Sequence, residues 1–143
     1  MGLVREYIVI HVKEEYVPFI HGKENHIHEL FTDTYSLKKE IPLEFMYVCK
    51  ELYWEEFMNV VASQTQEDYV HFSINKPTIF MHHPIKGEAN ITIFDQFIHI
   101  SCKGNAMLDL DIFSLLSKTS NTYFAFQKNS KSYGWLRPIK HFV

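Results

Sequence analysis

Several kinds of chemistry are excluded first by what this chain lacks. Cysteine is scarce: Cys49 and Cys102 stand alone, without CxxC spacing, and each lies in an apolar, strand-like run where a reduced thiol packs as a small hydrophobe. Both read as buried and free. Basic excess is missing as well. Fourteen Lys and Arg against 17 Asp and Glu give a formal charge of -3, the wrong sign for gripping phosphate backbones, so direct nucleic-acid binding is not expected. No stretch approaches the roughly 18 uninterrupted apolar residues of a membrane span, and Met1 to Val12 has no basic leader followed by a long apolar core. A cytoplasmic location is the expectation. The five glycines form neither a GxGxxG fingerprint nor a P-loop, and no GxSxG elbow frames Ser63, Ser101 or Ser130.

What the chain does have is apolar and aromatic mass. Hydrophobic residues make up 46% of its 143 residues, with 12 Phe, 8 Tyr and 2 Trp, enough to fill the core of one domain but not of two. Residues Glu6 to Val12, with β-branched Ile8, Val9 and Ile10, predict a central strand. Lys13-Glu14-Glu15 opens a stretch with Tyr16, Phe19 and Ile20 at helical spacing, which tolerates Pro18 early and can end at Gly22. Ile27, Leu30 and Phe31 predict a second short helix from Glu24 to about Thr34. After Pro42, Leu43 to Cys49 fits a strand or the lead-in to a helix from about Leu52 to Ser63. Strands are expected at Tyr69 to Ile74, Thr78 to His82, Asn90 to Phe94 and Phe97 to Cys102, the last two meeting across Asp95-Gln96 as a hairpin. Asn105 offers an N-cap for a helix to about Thr119, and Tyr123 to Gln127 reads as a closing strand. The fold expectation is α+β: a single compact domain over residues 1–143, mainly antiparallel sheet with about three to four packed helices.

Nine histidines invite a metal reading, because His21, His26 and His28 fall close together and His82-His83 form a pair. Yet residues two apart on a helix point to different faces, and no HExxH or cysteine–histidine pattern frames them. Surface or hydrogen-bonded histidines are the plainer reading, and no metal or other cofactor is expected. The adjacent acids Glu14-Glu15 and Glu55-Glu56 diverge on a helix, as solvated charges do, so no acid–base pair and no catalytic residue emerges. Aromatics between Tyr16 and Ile20 fit either the protein's own core or an interface anchor. Near the end of the chain, Tyr133-Gly134-Trp135 reads as an arm pinned to the core by its two aromatics.

The run Asn129-Ser130-Lys131-Ser132-Tyr133-Gly134-Trp135-Leu136-Arg137-Pro138-Ile139-Lys140, closing on Phe142-Val143, resembles the C-terminus of the SirA family, the sporulation inhibitors of replication of endospore-forming bacilli. The opening is similar too: an aromatic strand, Lys13-Glu14-Glu15-Tyr16, Gly22-Lys23-Glu24, then Glu29-Leu30-Phe31 and Asp33. Residues Thr34 to His83 match the pattern poorly. The resemblance implies a non-enzymatic protein that binds the N-terminal domain of the replication initiator DnaA, one to one, and so prevents new rounds of replication. It also implies a partner-binding surface at Tyr16 and Ile20, with Phe19 beside them and Pro18 in the same turn, and at Glu44 and Tyr47. Two other classes stay open at this point. One is an immunity or antitoxin protein that blocks a different target, and the other a small metal-dependent hydrolase using the histidines.

Overall fold

A computed structural model of the chain describes residues 4–20, 22–25, 47–64, 71–128 and 132–136. Seven strands form one fully antiparallel sheet in the order β2-β3-β4-β5-β1-β6-β7. They are β1 (Val4–His11), β2 (His71–Asn75), β3 (Thr78–His83), β4 (Gly87–Ile93), β5 (Ile98–Gly104), β6 (Tyr123–Gln127) and β7 (Tyr133–Trp135). The β-branched run of β1 earns its interior place by pairing on both edges, Ile8 lying opposite His99 of β5 and Phe126 of β6. From Ile8 to Ile10 the enclosed strand is buried on both faces, and its sequence there is continuously apolar instead of alternating.

Alternation along β1 divides the interior in two. On one face Val9 joins Ile91, Ile100 and Cys102 beneath helices α1 (Trp54–Gln64) and α2 (Ala106–Ser117), which contribute Phe57, Leu108 and Ile112. On the other face Ile8, Ile10 and Val12 pack with Phe124, Phe126, Cys49 and Ile20. The N-cap of α2 is as the sequence predicts: the Asn105 side chain accepts from the Met107 N–H at 2.8 Å. The β4–β5 hairpin turns over Asp95-Gln96, with Phe94 and Phe97 stacked at 4.6 Å across it. Both cysteines are buried and free.

The expectation of about three to four packed helices is corrected. Among the described residues the protein is a seven-stranded antiparallel sheet carrying two helices, of eleven and twelve residues. The stretch after β1 does not extend into a packed helix. It makes a 3-10 turn, Glu14–Tyr16, and a single α-turn, Val17–Ile20, before Gly22 adopts φ 90°, a left-handed conformation that ends it. Tyr133–Trp135, read as an arm pinned to the core by its aromatics, is an edge strand paired with β6, and both aromatics meet the buried Phe124. The helix expected from Glu24 to about Thr34 lies outside the described residues beyond Asn25.

Candidate protein-interaction surface

Two segments far apart in sequence are fastened together where β1 ends. Val12 bridges Cys49, the Lys13 N–H donates to the Val48 carbonyl at 2.8 Å, and the Lys50 N–H donates to the His11 carbonyl at 2.6 Å. These bonds set the helical turn 14–20 beside Tyr47 and Val48, both of which are helical. Tyr16, Val17 and Val48 are half-buried and rest on the cluster of Ile8, Ile10 and Val12. Tyr47, next to Val48, stands 69% exposed. Tyr16 thus rests on the rim of the core, while Tyr47, on the neighbouring segment, stands out from it.

The five residues singled out for partner binding therefore have different surroundings. Tyr16 and Tyr47 lie on the two fastened segments. Ile20 is 5% exposed and belongs to the core beneath the turn, so it supports the surface from below. Phe19 lies in the α-turn, and Glu44 is outside the described residues. Beyond the turn, the Gly22 N–H donates to Glu24 Oε1 at 2.8 Å, and the Trp135 indole N–H donates to Glu24 Oε2 at 3.1 Å.

Both cysteines and two of the described histidines, His11 and His83, are engaged in packing or hydrogen bonds. Burial pushes the Cys49 thiol up to about 12 and the Cys102 thiol upward too, the opposite of what a nucleophile requires. His11 is packed over Tyr123 and hydrogen-bonded to the Ser120 hydroxyl, and desolvation, helped by the Lys50 charge, lowers it to about 4. His83 Nδ1 accepts from the Ile85 and Lys86 amides. No group of three or more His, Cys, Asp or Glu among the described residues is arranged to hold a metal ion. His21, His26 and His28 lie outside the described residues.

Sequence reasoning overlooked one buried charge. Asp109 sits on the apolar face of α2, takes a two-toothed ion pair from Arg5 at 2.7 and 2.8 Å, and accepts from the Tyr7 hydroxyl. Burial alone would raise its pKa, but the Arg5 and Tyr7 bonds prevail and lower it. The network rivets α2 to β1. An acid among Leu108, Ile112 and Leu115 on one helical face was the available signal, but its partners are about a hundred residues away in sequence.

The family model described as "Sporulation inhibitor of replication protein SirA" matches residues 5–140. The chain is also similar to the sporulation inhibitor of replication protein SirA of Bacillus subtilis (strain 168), at 28% identity over 148 aligned residues, covering 95% of each chain. No helix among the described residues is long and apolar enough to cross a membrane.

Proposed function

Because the chain belongs to the SirA family of sporulation inhibitors of replication, we propose that it blocks initiation of chromosome replication during sporulation by binding the N-terminal domain of DnaA. The family match over residues 5–140 carries this reading. The protein acts in the cytoplasm as a single domain, one copy to one DnaA domain, without catalysis, metal or nucleotide. Its mechanism is masking: Tyr16 and its neighbours occupy a DnaA surface that otherwise recruits regulators or supports assembly at the origin.

The arrangement of residues supports placing the contact here. Tyr16 and Tyr47 sit on segments fastened by backbone bonds, so their ordering entropy is already lost before a partner arrives. Central aromatics surrounded by near-neutral contacts supply most of the binding energy in such interfaces. Ile20 contributes by holding the turn on the core, and Phe19 and Glu44 are further proposed contacts.

Calorimetric titration against the isolated DnaA N-terminal domain tests the reading. Saturable one-to-one binding is expected, weakened about thirtyfold by Tyr16→Ala, which corresponds to roughly 2 kcal/mol. Absence of any complex with the wild-type chain would refute the partner. Undiminished binding by a folded Tyr16→Ala, Tyr47→Ala double variant would refute the surface.

A further inference from the structure

One carboxylate joins the end of the contact turn to the edge of the sheet. Glu24 uses each oxygen for a different donor: Oε1 for the Gly22 amide, at the left-handed residue that closes the turn, and Oε2 for the indole N–H of Trp135 on β7, 111 residues away. Trp135 is itself immobilised. Its ring meets Phe124 edge-on at 5.4 Å, and the half-buried indole packs on the same cluster as Tyr16, Val17 and Val48. The strand that carries it is paired to β6 from Phe124↔Trp135 to Phe126↔Tyr133. The turn is thus held at both ends: at its start by Lys13 on Val48, at its finish by Glu24 on Trp135.

Building on the proposed DnaA-binding reading, we infer that Glu24 and Trp135 are positioning residues for the contact surface, β7 acting as a clamp that fixes the Tyr16 turn through the Glu24 carboxylate. Neither residue need touch the partner. An anion between two N–H donors forms charge-assisted bonds, stronger and more directional than neutral ones, and preorganising a short turn in this way spares the partner its ordering cost. The position of an aromatic pair next to Gly134, at an edge far along the chain, gains a purpose beyond closing the sheet.

The test is a double-mutant cycle in the full chain, read by affinity for the DnaA N-terminal domain well below the melting midpoint. Trp135→Phe keeps the ring and removes the donor, and Glu24→Ala removes the acceptor. Each is expected to weaken binding roughly three- to tenfold, the scale of one hydrogen bond, with the double variant no weaker than the worse single. A purely structural role would lower the melting midpoint yet leave the affinity of the folded fraction at the wild-type value. Wild-type affinity in both single variants, or losses that add in the double, overturns the clamp while leaving the binding reading intact. Failure of the wild-type chain itself to bind overturns the binding reading, and the clamp with it.

Discussion

Tyr16 and Ile20 are four residues apart, one turn of helix, yet the fold assigns them different physics. Ile20 is in the core, so Ile20→Ala should lower stability by about 3 kcal/mol through lost contacts and a residual cavity, measurable by urea denaturation. Tyr16→Ala should move the denaturation midpoint little and act on binding instead. At Asp109 the prediction is again stability. Asp109→Asn leaves the Arg5 guanidinium half-answered, and because Arg5 keeps some contact with water the expected loss is about 2 kcal/mol by the same measurement. His11 supplies a pH signature. Its folded pKa, about 4, lies below the ordinary 6.5, so the unfolded chain binds the proton more tightly. Stability is therefore fully present above about pH 6.5 and is lost as pH falls toward 4, by at most about 3 kcal/mol from this group. Denaturation midpoints measured down that range should fall for the wild-type chain and fall less for His11→Phe.

Among the elements, strands were the most legible. Ile8-Val9-Ile10 and the runs of β3 to β6 carry β-branched and aromatic residues between turn signals, and Asn105 announces α2 three residues before its first buried leucine. The stretch 14–20 is helical as its spacing predicts but only a turn or so long, because Tyr16, Phe19 and Ile20 fit a helical period that so short a run already satisfies. Three residues of Tyr133–Trp135 are too few for a period of two to declare itself. The base of the β4–β5 hairpin depends on backbone approach. Gly87 and Gly104 face each other at φ 117° and 130°, and a Cβ at Gly87 would lie 2.1 Å from the Lys103 carbonyl oxygen and one at Gly104 2.3 Å from that of Lys86. Gly104→Ala should cost more than about 1 kcal/mol, and a shift in midpoint smaller than that would show the hairpin base to be more pliable than its geometry implies.

For the molecule as a whole, the sheet separates two packed faces. Helices α1 and α2 close one, α2 riveted to it through Arg5 and Asp109, while Tyr16, Val17, Val48 and Trp135 pack on the other. That division could not be read from the sequence, since it depends on bonds such as Lys13 to Val48 and Trp135 to Glu24 that join segments distant along the chain. Resemblance pointed to Tyr16 and Tyr47 as residues of interest, but only the fold brings their segments side by side. Amide hydrogen exchange of the full chain, with and without the DnaA N-terminal domain, locates the contact on the protein. Slowed exchange on complex formation is expected at residues 12–20, 22–24 and 47–50, with α2 unchanged. Protection centred on α2, or none anywhere at saturating DnaA domain, would place the contact elsewhere or refute the partner.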